Sequence, residues 1–336
     1  MQILWFVLWG TLWAVYFMLD GFDFGAGMLR VAIARNESDR RTTLAAIGPV
    51  WNGNEVWLIT AGGATFAAFP AVYASMFSFL YLPMLLILFS LILRGIAVEF
   101  RSKTDNPRWR GAFDWILAIT SLTAPLVLGL GFGNIFQGLL FDSSGYHGSF
   151  GGLFNPFGLL TAALFVLLFL QHGALWLSYR TEGELAERSR AVAGPLWIVI
   201  LVVAAAFLVA AGFATRFLDN YLSRPYWFLV PAAAVAALVG VRVLQARPGR
   251  LAAFLCSCAT IVLVVATGLV GLFPSLIPSS LDPSASLTIY NSSSGPYTLR
   301  VMTIVALIFV PIVIVYQLLV YRFFRGKADA EGAEGY

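Results

Sequence analysis

Acidic residues stand inside or at the edges of long apolar runs in this chain, where a charge is costly. Asp20 and Asp23 lie in the segment LDGFDFGAG, and Glu55 lies in WNGNEVW. Glu99 and Asp114 stand at the edges of two further apolar runs. Carboxyl groups inside membrane proteins mark ion and proton pathways, because they can bind and release a proton where water is scarce. The pattern therefore indicates proton transfer.

The same carboxylates also fit a structural role. Arg94 lies within an apolar run, and charges inside membranes usually find a partner of opposite sign. Asp20, Asp23 and Glu55 can therefore form a buried cluster with Arg94. The two acidic residues at the edges of the runs can pair with Arg94 or Arg101 near the water boundary. Both interpretations stay open at this point.

The elements that must position these carboxylates are membrane helices. Of the 336 residues, 60% are hydrophobic and 11% are charged, whereas a soluble domain carries about 25% charged residues. A helix needs roughly 20 apolar residues to cross a bilayer. Nine segments meet that requirement: 3–28, 44–68, 73–99, 112–136, 157–179, 192–214, 226–245, 251–273 and 299–322. We expect an all-α polytopic membrane protein with nine transmembrane helices.

The basic residues predict the orientation of these helices. Seventeen of the 21 lysines and arginines fall in every second connection or in the C-terminal tail. Because cytoplasmic connections collect basic residues, the N-terminus should lie outside and the C-terminus in the cytoplasm. This distribution explains the positive charge without any nucleic-acid partner. The outer connections 137–156 and 274–298 are rich in Gly, Ser, Pro and Asn, which predicts ordered loops.

Long motifs then identify a family. The runs GFDFGAGML, GPVWNGNEVWLITAGGATFAAFP and RGIAVEFRSK resemble subunit II of the cytochrome bd-type quinol oxidases. Further matches, among them RWRGAFDW, LGFGNIFQG and FPSLIPSS, extend the resemblance over nearly the whole chain. It implies two four-helix bundles, at about 1–136 and 157–273, and a peripheral ninth helix at 299–322. The polar composition of residues 327–336 predicts a disordered tail.

The resemblance implies a haem-free subunit of an electrogenic, non-pumping oxidase in the bacterial cytoplasmic membrane. The complex would oxidise quinol, reduce O2 to water and take protons from the cytoplasm. Two b-type haems, one d-type haem and the quinol-oxidising loop would belong to the partner, subunit I, and small single-helix subunits can join it. The scarcity of histidine, with His147 and His172 alone, agrees with a chain that ligates no haem. A mid-span histidine such as His172 is typically a hydrogen-bonded structural residue. A structural quinone stays open, because apolar grooves between helices have no sequence signature.

The motifs carry residue roles over to this chain. Asp20 and Asp23 match the aspartates of the family's GFD motif, which places them in the implied proton pathway. Glu99 matches an acidic position after the third helix and is assigned to the same pathway. Trp51 begins the WNGN block, and Trp57 matches a tryptophan associated in the family with the oxygen route towards haem d. Both tryptophans are therefore candidates for oxygen access or for the interface with subunit I.

One position departs from the family's pattern. The family commonly has an aspartate, implicated in proton delivery, after the first tryptophan of this block, and Asn52 stands there instead. An amide cannot carry a proton by ionising. Glu55 lies three residues later, about 60° away around a helix of 3.6 residues per turn. We therefore expect Glu55 to substitute for the missing carboxylate.

Two alternatives of different classes accompany this interpretation. Buried carboxylates and glycine-interrupted helices are also typical of proton-coupled secondary transporters. A scaffold for subunit I, which conducts neither protons nor oxygen, is compatible with the family but differs in mechanism. The first three predicted spans carry the most polar and glycine residues. We therefore expect them to face subunit I, and the later, more uniformly apolar spans to face lipid.

The charge distribution makes a topology prediction. A reporter fused after Tyr336 should behave as a cytoplasmic protein, because 17 basic residues hold the connections on that side. Green fluorescent protein at this position should fluoresce, and alkaline phosphatase, which needs the oxidising periplasm, should be inactive. Active alkaline phosphatase at the C-terminus would reverse the assigned orientation.

Overall fold

The computed structural model describes residues 1–247 and 249–330 and is almost entirely helical. Twelve α-helices follow one another along the described chain: α1 Gln2–Ile33, α2 Glu37–Ile47, α3 Trp51–Ala68, α4 Pro70–Phe79, α5 Tyr81–Phe100, α6 Pro107–Gln137, α7 Pro156–Arg180, α8 Gly183–Ala214, α9 Asp219–Ser223, α10 Leu229–Gln245, α11 Arg250–Leu272 and α12 Pro296–Phe323. Two short antiparallel hairpins complete it, β1 Phe141–Asp142 with β2 Gly145–Tyr146 and β3 Ser275–Ile277 with β4 Leu287–Thr288. The all-α prediction is therefore confirmed.

Eight helices in the described part of the chain are long and apolar enough to cross a membrane. They are α1, α5, α6, α7, α8, α10, α11 and α12. The helices α3 and α4 pass the same test together but are bent by 119° between Ala68 and Pro70. Proline at the first position of α4 has no N–H to continue the preceding helix, which explains the break there.

The second and third predicted spans have the wrong boundaries. The segment 44–68 was expected to be one helix, but α2 ends at Ile47 and α3 begins at Trp51. Gly48 and Pro49 lie in this break, and the proline has no backbone N–H to continue the hydrogen bonds of α2. The segment 73–99 crosses a second break at Leu80, where α4 ends and α5 begins. Apolar composition continues through both breaks, so it could not reveal them.

The long helix α1 is the centre of the packing. It contacts α3, α6, α7 and α11. Its approach to α7 depends on two glycines, because a Cβ on Gly25 would lie 1.9 Å from the carbonyl oxygen of Phe169. A Cβ on Gly173 of α7 would in turn lie 2.3 Å from the carbonyl carbon of Gly25. Small residues let two membrane helices approach to backbone contact, which brings the aspartates of α1 into the interior.

The basic connections meet at one end of the helix bundle, where ion pairs join them. Arg101, after α5, binds Glu37 of α2 at 2.9 Å, and Arg188 of α8 binds Asp39 of α2 at 2.5 Å. Arg250 of α11 contacts Glu187 of α8. The alternation predicted from the basic residues therefore brings these connections to one side of the molecule.

The two connections with few charges, 137–156 and 274–298, meet at the opposite end and confirm the prediction of ordered loops. The backbone N–H of Leu139 donates to Pro278 O at 2.9 Å, and Ser280 N–H donates to Leu139 O at 3.0 Å. Ser294 N–H also donates to Ala68 O at 2.8 Å, which ties the second loop to the end of α3. Backbone hydrogen bonds rather than ion pairs therefore join the connections at this end.

The C-terminal segment folds back onto the end of α7. Ala328 N–H donates to Arg180 O at 2.7 Å, and the Lys327 ammonium donates to Tyr179 O. The tail predicted to be disordered, 327–336, thus begins with two residues that make defined hydrogen bonds. Its residues 331–336 lie outside the described part of the chain.

Candidate proton-transfer cluster

The site is centred on the buried guanidinium of Arg94, which binds the carboxylates of Asp20 and Glu55. Asp20 lies on α1 and is completely buried. Nη2 of Arg94, on α5, donates to Asp20 Oδ1 at 2.6 Å and to Oε2 of Glu55, on α3, at 3.0 Å. The guanidinium carbon lies 4.2 Å from the centre of the Phe24 ring, which adds a cation–π contact. The predicted pairing of Arg94 with the carboxylates of α1 and α3 is present for Asp20 and Glu55.

Asp23 is connected to uncharged side chains of α3 and α12 by hydrogen bonds. Asn54 Nδ2 donates to Asp23 Oδ2 at 2.7 Å. The Asn54 Oδ1 atom accepts hydrogen bonds from Gln317 Nε2 at 3.0 Å and from the Tyr321 hydroxyl at 2.7 Å. Trp57 Nε1 donates to Gln317 Oε1 at 3.0 Å. The peripheral helix α12 is thus connected to the aspartates of α1 through Asn54.

The cluster has more carboxylates than cations. Asp20, Asp23 and Glu55 converge near Arg94, and the guanidinium stays protonated in proteins. Within the described residues, Asp20 Oδ2 and Asp23 Oδ1 are buried without a hydrogen-bond partner, as are Nε and Nη1 of Arg94. Buried polar atoms of this kind are normally paired with a protein group or an ordered water. A cluster that has more carboxyl groups than cations, and carboxyl oxygens without hydrogen-bond partners, can bind and release a proton.

Glu55 is the cluster member that other molecules can reach. Its side chain is 19% exposed, whereas the Asp20 side chain is fully enclosed. Asn52, one turn earlier on α3, is exposed and makes no hydrogen bond to the residues that the structure describes. The cluster therefore opens to the surface of the chain along this side of α3.

Two other predicted site residues lie outside the cluster. Trp51 is half-buried, and its ring packs against Gly95 of α5. Glu99 is half-buried near the end of α5 and forms no ion pair within residues 1–247 and 249–330. Glu99 is therefore not brought together with Asp20, Asp23 and Glu55.

A second ion-pair network surrounds Asp114 at the end with the basic connections. Arg101 Nε donates to Asp114 Oδ1 at 2.6 Å, and Arg30 and Arg40 approach the same carboxylate at 2.8 and 3.1 Å. The hydrogen bond from Arg101 also lowers the pKa of Glu37, which lies on α2 outside the membrane-spanning helices. The predicted pairing of Asp114 with Arg101 is confirmed. This network holds the ends of α1, α2, α5 and α6 together.

His172 is a hydrogen-bonded structural residue, as expected. Its Nδ1 lies 2.6 Å from Ser257 Oγ and its Nε2 lies 2.9 Å from Met18 O. The imidazole also stacks on the Phe254 ring, with the ring centroids 4.8 Å apart. Both ring nitrogens are thus used within the protein. Across the described residues, no group of three or more His, Cys, Asp or Glu side chains could hold a metal ion.

Sequence reasoning missed the contribution of α12 to this site. Gln317 and Tyr321 both bond to Asn54, yet they were treated as parts of an apolar span. Their spacing of four residues places them on one face of a helix. A polar pair at that spacing in an otherwise apolar run was the available signal.

Removing the guanidinium should destabilise the protein strongly. Arg94→Met leaves buried carboxylates without their cation, and breaking a buried ion pair costs about 3–5 kcal/mol. We expect a markedly lower midpoint of thermal unfolding for the purified complex. The double variant Arg94→Met with Asp20→Asn should recover part of that loss, because one uncompensated charge is removed. Asp105→Asn is the control, since Asp105 is fully exposed. Equal stability of Arg94→Met and the control would contradict this view of the cluster.

Comparisons with known proteins match the whole chain to one family. The family model described as cytochrome bd terminal oxidase subunit II matches residues 1–324. Cytochrome bd-I ubiquinol oxidase subunit 2 of Escherichia coli K12 is 37% identical over 99% of this chain and 97% of that protein. Cytochrome bd ubiquinol oxidase subunit 2 of Bacillus subtilis 168 is 37% identical over 97% and 96%.

The fold of this chain is also found in a solved bd oxidase structure. A chain in the solved structure of the bd oxidase from Geobacillus thermodenitrificans superimposes with a TM-score of 0.78. The match covers 97% of this chain and 99% of that one, at 18% sequence identity, and it therefore concerns the fold alone. The sequence matches carry the assignment, and this chain belongs to the family of cytochrome bd terminal oxidase subunit II.

Proposed function

We propose that this chain is the haem-free subunit of a quinol oxidase and that it delivers protons to a partner subunit where O2 is reduced. The observation that carries the proposal is the cluster of Asp20, Asp23 and Glu55 around Arg94, which has more carboxyl groups than cations. Its opening at Glu55 gives a proton a way to leave the chain towards subunit I. Two b-type haems and one d-type haem belong, on this proposal, to that partner. The complex is electrogenic without pumping.

The roles within the cluster divide by burial. Asp20 is enclosed and bound to Arg94 at 2.6 Å, so it fixes the guanidinium. Glu55 is bound at 3.0 Å and is partly exposed, so it can exchange a proton with water or with a group of the partner. Asp23 supplies a further buried carboxyl next to Asn54. Asn52 lies on the exposed side of the same helix, and Glu99 lies nearer the basic end, where protons would enter.

The proposal includes a membrane topology. The eight long helices and the bent pair α3–α4 give nine spans when the pair is counted as one. The N-terminus would lie in the periplasm and the basic end in the cytoplasm of a bacterial inner membrane. We retain the division into bundles at 1–136 and 157–273 and a peripheral helix at 299–322. Protons then reach the cluster from the basic end.

The partner is proposed to pack against α3, α4 and α5. An apolar groove of about 660 Å³ runs along these helices and α6. Gly62 and Gly63 line it, and a Cβ on either would meet no atom within 4 Å in this chain. Open glycines on a membrane helix suit close packing against another helix. A helix of subunit I would fill this groove and cover the opening at Glu55.

We propose that Trp51 and Trp57 of α3 lie along the route by which O2 enters. Trp57 is buried and bonds to Gln317, and Trp51 is half-buried against α5. Both lie on the helix that we assign to the interface, where O2 entering along apolar surfaces would pass.

We place the structural quinone that the resemblance leaves open in the apolar cavity between α1, α6, α7, α8, α10 and α11. Small single-helix subunits complete the proposed complex.

Two alternatives were left open by the sequence, a proton-coupled secondary transporter and a scaffold for subunit I. Membership of the oxidase family decides against the secondary transporter that the buried carboxylates alone also allowed. The scaffold hypothesis is compatible with the family, because an Arg94 cluster that only joins helices has the same contacts. Enzyme turnover distinguishes the scaffold from the proton route, since a scaffold does not need an ionisable group at position 55.

Glu55→Gln tests the proton route. The amide can still accept the hydrogen bond from Arg94 but cannot bind and release a proton, so quinol-driven O2 consumption should fall by roughly tenfold or more. The haem absorption and the recovery of the complex should not change. Adding Asn52→Asp should restore part of the rate. Glu184→Gln, at an exposed glutamate, is the matched control. Wild-type turnover of Glu55→Gln at low and high pH would favour the scaffold.

Gly62→Trp tests the interface. The indole would occupy the groove that we assign to a partner helix, so less subunit I should copurify with the variant. Gly194→Trp on α8 is the matched control, because a Cβ there also meets no atom within 4 Å but the helix is assigned to lipid. Full copurification of subunit I with Gly62→Trp, together with loss in the control, would move the interface to the later helices.

A further inference from the structure

A separate cavity lies at the basic end of the bundle, between α1, α7, α11 and α12. Its volume is about 220 Å³, and its walls are mainly apolar. The apolar lining includes Met18, Trp176, Phe254, Leu255 and Phe324. Two arginines, Arg180 and Arg325, line the same cavity. Tyr321 of the proton-transfer cluster also borders it, but none of the carboxylates proposed for proton transfer does, so the cavity needs an explanation of its own.

Arg180 is a buried cation that has no counter-ion among residues 1–247 and 249–330. The residue is 6% exposed, and its guanidinium carbon lies 5.4 Å from the Trp176 ring centre. Its Nη1 donates to Gly326 O, but its Nε is buried without a hydrogen-bond partner in the described chain. Among the same residues no carboxylate forms an ion pair with Arg180 or Arg325. A buried charge is costly unless an opposite charge compensates it, so the site is suited to an anion.

Further positive charge surrounds this point. The Lys327 ammonium lies 5.5 Å from the Tyr179 ring centre and donates to Tyr179 O. Burial lowers the pKa of Lys327, and the neighbouring charge of Arg250 lowers it further. The charge of Glu182 raises the pKa of Lys327, and the charge of Arg180 lowers it. The C-terminal segment thus places a further cation, Lys327, close to Arg180.

We propose that the cavity binds one phospholipid with a net negative headgroup, with its phosphate at Arg180 and Arg325 and an acyl chain between Phe254, Leu255 and Phe324. The guanidinium geometry suits the oxygens of a phosphate. A soluble anion would leave the apolar part of the cavity empty, whereas an acyl chain fills it. A zwitterionic lipid brings its own ammonium into a cationic site, which weakens its binding. The bound lipid would fasten α12 and the tail to the rest of the chain.

Native mass spectrometry of the purified, delipidated two-subunit complex tests this proposal. Phosphatidylglycerol should add to the wild-type complex as one tightly bound molecule, and phosphatidylcholine of the same chain length should bind more weakly. Arg325→Gln should weaken phosphatidylglycerol binding about fivefold, and Arg180→Gln by a similar further factor. Arg322→Gln is the control, because Arg322 lies in the last turn of α12, three residues before Arg325, is exposed and does not line the cavity.

A second variant keeps the test independent of the buried arginine. Leu255→Trp fills the apolar part of the cavity and removes no charge, and Leu255 is 54% exposed, so folding should survive. It should also reduce phosphatidylglycerol binding. Equal binding of the two lipids, unchanged binding in Arg325→Gln and Leu255→Trp, or displacement of the lipid by inorganic phosphate would overturn the proposal.

Discussion

The structure depends on one buried guanidinium that neutralises carboxylates from two other helices. Arg94 of α5 holds Asp20 of α1 and Glu55 of α3. Isolated charges at this depth would cost several kcal/mol each, so these three helices are stable only in the register that brings the groups together. The amide branch through Asn54 follows from that register, because it places α3 where it can hold Asp23 and the peripheral helix α12.

This constraint reconciles the structural and functional interpretations of the acidic residues. Asp20 is enclosed and is held at 2.6 Å by a permanently charged group, which makes it the structural partner of Arg94. Glu55 shares the same cation at a longer distance and has access to the surface. One arginine can therefore organise the helices, while in our proposal Glu55 exchanges protons. The test at Glu55 consequently bears on transport without dismantling the fold, whereas substitution of Arg94 affects both.

Sequence predicted the parts of the molecule that depend on local composition. The long helices follow from apolar runs, and the site residues Asp20, Asp23, Glu55 and Arg94 stand out because charges are rare in such runs. The breaks before Trp51 and at Leu80 were missed, because apolar composition continues through them. The contact of Asn54 with α12 was missed for another reason. More than 260 residues separate the partners, and only the packing of the helices determines their distance.

The two ends of the bundle are held together by different forces. At one end ion pairs such as Arg101 with Glu37 join connections that are rich in charge. At the other end the connections carry few charges, so their order comes from backbone hydrogen bonds such as Leu139 to Pro278. On the proposed topology this second end is the exported side, where connections that must cross the membrane during insertion cannot easily carry basic clusters. At the basic end, Arg180 is a buried cation that pairs with no carboxylate in the described part of the chain. In our proposal the anionic headgroup of a lipid supplies the counter-charge there.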